Sequence, residues 1–538
     1  MTFKIRQATA NDAASWIDLL VSVMGEHYPV KEVYDGAWVA SQLDIASGQE
    51  TWVAESHGRL LASLAALPPA EKNVNPITNL GQQLFRPESY TDGSAVAVVD
   101  TVNRLAEQRG HLVVVRVLAS DNQQQALFEK QGYRCVGFQP FKHFQQVWEG
   151  VLYYVLISQP ALMTRLPLSE SLPQVGELAA FVLGNLKIAS PVPVRDGMTG
   201  YALQSELKFR DATAEDFELG RQQAQVVNPP REISGGYNLG WGVLRLPVAS
   251  PVRAFLGQRE DKIVAGLAYG YDEQDRCLRI VDSFATDDLS MGAMFHQILK
   301  AAQEQFNAVT VEVDVLMTAP RLLKSAEQLG FVPVAYLPAF YFENGRCTDV
   351  VKLVKLNLLY ILENTSLTAP AARMVEIVDQ NFQDQKVGVA IINLLRSLAV
   401  FEGLGDGELR KIARLFTQKL VRPGEKVFAK GDSGNEGYVV MRGEIDILLE
   451  ERAKPVASMR NGQIFGEQAF LDSTARMASA VASQASIVLV IQRAAFNKLV
   501  QNEPHLGMLV MRNIAIELSH KLRHANVGLL AAKGLGTG

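Results

Sequence analysis

Apolar and polar positions alternate at the start of the chain and do so again about two hundred residues later. FKIRQATAND (3–12) and LKFRDATAED (207–216) share six of ten positions at an offset of 204. In both, the alternation gives way to a Thr-x-x-Asp step, Thr9 with Asp12 and Thr213 with Asp216, which predicts a strand running into a capped helix. VVVRVLASDNQQQALFEKQGYRCVGFQPF (113–141) and VEVDVLMTAPRLLKSAEQLGFVPVAYLPAF (311–340) follow at an offset near 198. Each predicts a β-branched strand, a helix stopped by Gly132 or Gly330, and a second apolar strand reaching Pro140 or Pro338. ELAAFVLGNL (177–186) and RMVEIVDQNF (373–382) give a weaker third echo at an offset of 196. Three matches in one order, with drifting offsets, predict a duplicated α/β unit of about 200 residues.

From residue 391 the pattern changes. IINLLRSLAVFEGLGDGELRKIARLF (391–416) has helical spacing. RPGEKVFAKGDSGNEGYVVMRGEIDILL (422–449) breaks into short strands parted by Gly424, Gly431 and Gly443, which predicts an all-β jelly roll. SQPALMTRLPLSESLP (158–173), ASPVPVRDG (189–197) and NTSLTAPAA (364–372) mark the joints. The expected organisation is a first α/β domain over 1–158, a linker with a helix over 159–206 and a second α/β domain over 207–357. A helical bridge over 358–394, a β-rich domain with flanking helices over 395–525 and a flexible tail over 526–538 complete it.

Composition narrows the function classes. The 538 residues carry a net charge of −5, which lacks the basic surface of a nucleic-acid binder, so DNA is not an expected partner. Hydrophobic residues make up 48% and charged ones 20%, enough apolar surface for every domain to fill a core. Cys135, Cys277 and Cys347 are scattered without a CxxC, pointing to a reducing compartment. MTFKIRQATAND has no apolar signal core, and no run reaches the roughly 18 apolar residues of a membrane span. The expectation is a cytoplasmic protein away from membranes. His520 and His524 share a helical face but have no third ligand nearby, so no metal is expected.

The candidate chemistry sits at two turns. FRPESYTDGSAVAVVDTVNRLAEQRG (85–110) predicts a turn and a long amphipathic helix, with Gly93 and Ala95 at its start. Small residues there let a phosphate approach free backbone N–H groups at the positive end of the helix dipole. Pro87-Glu88 leads into Tyr90-Thr91-Asp92-Gly93-Ser94-Ala95, and Asn122–Tyr133 reads NQQQALFEKQGY. In this the first unit resembles the GNAT superfamily of acyltransferases, over most of residues 3–157. The resemblance implies an acyl-CoA site, with acetyl-CoA as cosubstrate, at Tyr90, Asp92, Gly93, Ser94 and Ala95. It also implies an N-acyltransferase acting on an amine, such as a protein lysine.

Departures from that pattern affect the chemistry rather than the fold. Tyr90 replaces the family's Gln or Arg, Phe128 stands where many relatives carry an acidic Tyr, and NLGQQLF (79–85) carries no carboxylate. Glu88 and Tyr90 are substitutes that also read as ordinary turn residues, so no catalytic residue is assigned. In the second unit, FATDDLSMGAMFHQILKAAQEQF (284–306) puts Met291 or Gly292 near the equivalent glycine. Asp287 and Asp288 would face a pyrophosphate there, and Ala326 takes the place of the helix Tyr. Asp282 is the one carboxylate in either unit at a base-like strand position. The second unit is expected to pack against the first or to shape an acceptor cleft.

NGQIFGEQAFLDSTARMASAVA (461–482) carries the second turn. Phe465-Gly466-Glu467-Gln468-Ala469 predicts a short helical turn facing an anion, and Arg476 follows Glu467 by nine residues. This resembles the cyclic-nucleotide-binding domain of catabolite-activator proteins, cyclic-nucleotide-dependent kinases and gated channels, across residues 395–525. The resemblance implies that Glu467 accepts the ribose 2′-hydroxyl and Arg476 grips the cyclic phosphate, with Gly466, Gln468 and Ala469 completing the cradle. Met477 stands where a Thr often accompanies cGMP preference, which points to cAMP as effector. MLVMRNIAIELSHKLRHA (508–525) matches the helix through which such domains often form homodimers.

The fold class expected is therefore α+β and multidomain, two GNAT-like α/β domains followed by a β jelly roll with flanking helices. The activity expected is a bacterial-type, cyclic-nucleotide-regulated acyltransferase. The alternative is a non-catalytic cyclic-nucleotide sensor with acyltransferase-like scaffold domains. The Gly93/Ala95 turn favours the first, and the missing Tyr and carboxylate favour the second.

Overall fold

The computed structural model describes residues 2–67, 77–109, 112–166, 172–188, 199–203, 206–224, 231–235, 242–246, 251–358, 360, 362, 365–387, 389–450, 454–472 and 474–534. The expected joint at 189–197 lies outside them. The chain divides into two compact units, Met1–Phe382 and Gln383–Gly538. It is a mixed α/β multidomain chain with a C-terminal jelly roll.

The first unit is built on one sheet of 14 strands. Its first half contains β1 (Lys4–Gln7), β2 (Glu50–Ser56), β3 (Arg59–Leu67), β4 (Ile77–Phe85), β5 (Leu112–Leu118), β6 (Arg134–Gln145) and β7 (Val147–Leu156). Its second contains β8 (Lys208–Thr213), β9 (Arg253–Arg259), β10 (Lys262–Asp272), β11 (Cys277–Ala285), β12 (Thr310–Leu316), β13 (Val332–Glu343) and β14 (Arg346–Leu356). The spatial order runs β1-β2-β3-β4-β5-β7-β6 and then β13-β14-β12-β11-β10-β9-β8, so the second half is the first read backwards. The parallel pair falls at the same place in each, β4 with β5 and β11 with β12. All the other neighbours are antiparallel.

The halves meet where β6 pairs with β13, Gly137 opposite Ala335. A Cβ at Gly137 would stand 2.1 Å from that of Ala335, so only glycine lets the strands close. Behind this seam lies a buried charge cluster. Glu312 of β12 accepts from Lys142 Nζ of β6 at 3.1 Å, from Gln139 Nε2 of β6 at 3.0 Å and from Arg279 of β11. Burial opposes the charge on Glu312, yet Arg279, Lys142 and Lys352 hold its carboxyl well below the usual range. One half thus supplies the counterion for the other.

The helices follow the sequence periodicity. Val98 and Val102 of the helix Ser94–Gln108 share one apolar core with Ile298 of the helix Asp288–Glu304 and Leu322 of the helix Pro320–Gln328. The corner after β8 is a capping box, Thr213 Oγ1 accepting from Asp216 N and Asp216 accepting from Thr213 N. Its counterpart differs: Thr9 N donates to Asp12 at 2.8 Å, but Asp12 is also gripped by Arg6 at 2.8 and 2.7 Å. The weak third echo has a structural counterpart, since the helices Pro173–Asn185 and Ala369–Val387 each follow the last strand of their half. The first of these is a helix within the expected linker with a helix over 159–206, and its Val175, Leu178, Ala179 and Val182 lie in the core.

The second unit is a two-sheet jelly roll. Its strands are β15 (Phe416–Val421), β16 (Lys426–Phe428), β17 (Glu436–Arg442), β18 (Glu444–Leu448), β19 (Ala457–Arg460), β20 (Ile464–Phe465), β21 (Ser479–Ala482) and β22 (Ser486–Gln492). They form sheets ordered β15-β22-β17-β20 and β16-β21-β18-β19. Tyr438, Val440, Ile445, Phe465 and Val488 fill the space between the sheets. Leu409, Phe470, Leu489, Phe496 and Val510 form a second core against the helices. Gly424, Gly431 and Gly443 all take positive φ, as the turns require. The final helix runs Pro504–Gly534, so helix continues where a tail from 526 was expected. Good helix formers, Leu529 through Lys533, explain the extension.

Candidate functional site

The jelly roll concentrates its polar chemistry at one turn. Gly466 takes φ +75° between β20 and the helix Glu467–Asp472. A Cβ there would lie 2.7 Å from Arg476 Nη1, so the residue preceding the helix must be glycine for the guanidinium to fit. Arg476 is only 4% exposed. Its Nη1 donates to Gly466 O at 2.7 Å and its Nη2 to Glu436 O at 2.5 Å, while its Nε is buried without a partner. Two aromatic faces hold the guanidinium plane, Phe428 at 4.3 Å and Tyr438 at 5.5 Å. The Tyr438 hydroxyl donates to Glu436, and burial pushes it up from its ordinary range.

A buried guanidinium that ends on backbone carbonyls rather than on a carboxylate stays cationic and keeps one donor nitrogen, Nε, without a hydrogen bond. That is the electrostatic requirement for taking an anion. Glu467 opens the adjacent helix and also borders an apolar cavity of about 60 Å³ beside Phe470, Phe496 and Val510. The structure therefore brings Gly466, Glu467 and Arg476 together at one turn. Gln468 is exposed, the Ala469 side chain lies outside the described residues, and Met477 is 72% exposed beside Arg476. Phe428 and Tyr438 were not picked out from sequence. They read there as ordinary inward strand positions, and only their juxtaposition to Arg476 marks them.

The first unit's turn has a different character. Gly93 takes φ +85° between the short helix Ser89–Asp92 and the helix Ser94–Gln108, with open space where a Cβ would point. The helix end is already capped, because Ser94 N donates to Asp92 Oδ1 at 2.8 Å. Ala95 is buried in the core, and Tyr90 packs on Phe85 with its hydroxyl pushed up by burial. Glu88 pairs with Arg59 at 3.1 Å on the surface. Phe128 sits against Phe85 and Tyr133, fully buried.

In the second half, the corresponding helix starts at Asp287, whose carboxylate accepts from Ser290 N at 2.8 Å and pairs with Arg259 at 2.8 Å. Gly292 is not the turn glycine. It lies inside the helix, where a Cβ would meet Ala202 O at 2.0 Å, so its smallness serves packing. Asp282 is clamped, accepting from Arg221 at 2.5 Å and from Ser283 N at 2.8 Å. Among the described residues, no three His, Cys, Asp or Glu side chains gather as a metal site, and no helix is long and apolar enough to cross a membrane. The side chains of His520 and His524 lie outside the described residues.

Known proteins bear on the jelly roll. The cyclic nucleotide-binding domain family matches residues 418–503. The "Cyclic AMP receptor protein" of Thermus thermophilus is 30% identical over 138 residues, which cover 25% of this chain and 62% of that protein. The "cAMP-dependent protein kinase regulatory subunit" of Yarrowia lipolytica is 30% identical over 105 residues, covering 20% and 28%. A solved cyclic nucleotide-binding domain from Methylobacillus flagellatus covers 28% of this chain and 85% of its own at 23% identity, with a TM-score of 0.25. The chain thus spans less than two thirds of either curated relative. Its C-terminal region carries a cyclic nucleotide-binding domain.

Proposed function

We propose that this chain is a cyclic-nucleotide sensor with cAMP as its effector, and that the nucleotide governs an N-terminal unit of two GNAT-like repeats serving as a scaffold. The observation that carries the reading is the buried Arg476, held between Phe428 and Tyr438 and hydrogen-bonded to two backbone carbonyls. The cyclic phosphate would take up the guanidinium, and Glu467 the ribose 2′-hydroxyl. Met477 beside it, rather than Thr, supports cAMP over cGMP. The two curated relatives above are described by name as cyclic AMP proteins, which agrees with this choice.

The test is thermal unfolding of the full chain with and without cAMP. The nucleotide should raise the second unit's midpoint, and Arg476→Ala should abolish the rise, a loss of about 2–5 kcal/mol in binding. An unchanged rise in the variant would place the nucleotide elsewhere. cGMP should give a smaller rise at equal concentration.

A second reading, a regulated N-acyltransferase using acetyl-CoA, is favoured by the Gly93 turn, whose positive φ and open space suit a close backbone approach. The residues around it do not fit a pyrophosphate as they stand. Asp92 already occupies the Ser94 N–H, Phe128 has no proton to give, and β4 has no carboxylate. For these reasons the scaffold reading takes precedence. Calorimetry of the full chain with acetyl-CoA decides between the two. Binding that Gly93→Glu removes would restore the enzyme reading, and no heat at millimolar acetyl-CoA would close it.

A further inference from the structure

A cleft of about 410 Å³ opens in the second half of the first unit, beside the end of β11 and the start of the helix Asp288–Glu304. Its volume lies in the range of small-molecule sites. Its charges are arranged unevenly. On its floor, one carboxylate serves two guanidiniums: Asp282, 5% exposed, accepts from Arg221 at 2.5 Å and lies 3.7 Å from Arg231. Among the described residues, the floor holds two guanidiniums to one carboxylate. Phe217 backs the Arg221 guanidinium at 5.1 Å and Tyr341 backs that of Arg231 at 5.7 Å, so both planes are fixed by packing. Arg221 Nε is buried without a hydrogen-bond partner.

The rim has the opposite sign. Asp287 and Asp288 are neutralised by Arg259 at 2.8 Å and Arg321 at 2.7 Å, and drop out of the balance. Among the described residues Glu232 and Glu343 remain, each bonded to a tyrosine, Tyr201 at 2.7 Å and Tyr341 at 3.3 Å. Burial pushes the Glu232 carboxyl up, and an ammonium beside it would favour the charged form.

We infer that this cleft binds a small zwitterion, a molecule whose carboxylate meets the Arg221 and Arg231 guanidiniums and whose ammonium meets Glu232. A plain anion satisfies the floor but faces the rim acids. A plain amine meets the rim but faces the guanidiniums. Only a ligand with both charges a few atoms apart matches both, and Asp282 then acts as the positioning residue that holds the two forks in place. The inference is independent of acyl transfer and of the nucleotide site.

The test is saturation-transfer NMR on the full chain with glycine, β-alanine and 4-aminobutyrate, three zwitterions of increasing charge separation. Butyrate, butylamine and inorganic phosphate are the single-charge controls. At least one zwitterion should bind more tightly than all three controls. Arg221→Gln should weaken that binding by about tenfold or more. Glu232→Gln should erase the preference for 4-aminobutyrate over butyrate, a readout that simple loss of fold would not give. Retention of the first unit's unfolding transition verifies that each variant is folded. No saturation by any zwitterion, phosphate or butyrate binding as tightly as the best zwitterion, or signals unchanged in both variants would each overturn the proposal.

Discussion

The two halves of the first unit share a strand order and a parallel pair in the same place, yet no longer share their chemistry. Where the first half turns into its helix through Gly93 at φ +85°, the second does so through Asp287 in an extended conformation. The first half's fourth strand, β4, carries Gln82 and Gln83, whose backbone and side-chain N–H groups donate to the carbonyls of Leu244 and Val243 from the second half. The equivalent strand, β11, carries Asp282 and a charged cleft. Packing constrains topology because an apolar face must be covered whatever else changes. A polar turn carries no such obligation, so it diverges first.

The largest effect should come from the seam. Glu312→Ala would strand Lys142 and Arg279 without their carboxylate, costing about 3–5 kcal/mol. Chemical denaturation should then show the whole first unit losing stability, not the second half alone. Independent unfolding of the halves would break the comparison, because it would make the seam a contact rather than a shared core. Glycines give the next test. Gly292→Ala forces a Cβ into the Ala202 carbonyl and should cost about 1–3 kcal/mol. Gly93→Ala meets open space and should cost only about 1 kcal/mol, from its positive φ. Equal costs would mean that the two positions serve the same purpose after all.

The smallest effect concerns the two strand-to-helix corners in acid. Hydrogen bonds from Arg6 hold the Asp12 carboxyl below its ordinary value, and the Thr213 backbone N–H does so for the exposed Asp216. A depressed folded pKa contributes stability above the unfolded value, near 3.9, and loses it as pH falls through the folded one. Stability below pH about 4 should therefore depend on Asp12, which is part-buried with Arg6, more than on Asp216. Comparing Asp12→Asn with Asp216→Asn in acid denaturation measures the difference. A larger change for Asp216→Asn would reverse the ranking.

Much of this architecture was legible in the sequence because periodicity and turn chemistry are local. The strand-to-helix corners at Thr9 and Thr213, the helix stops at Gly132 and Gly330 and the cassette from Phe465 to Arg476 each declare themselves within a dozen residues. What could not be read is what distant segments do to one another. Asp282 looked like a base from its place on a strand, but Arg221 and Arg231, some fifty to sixty residues away, satisfy it. Gly292 looked like a turn glycine until Ala202 was placed against it. Phe428 and Tyr438 gained a role only when folding stacked them on Arg476.

The pairing of Gly137 with Ala335 has a consequence for descent as well as for stability. A duplicated domain can ordinarily be lost again, since each copy retains its own interior. Here Glu312 of the second half balances Lys142 of the first, and the edge of β6 is covered by β13. Deleting either half would expose a sheet edge and leave a charge in the remaining core, so the duplication has become a ratchet. Once the seam closed, the two copies were free to change their turns and clefts but not their number.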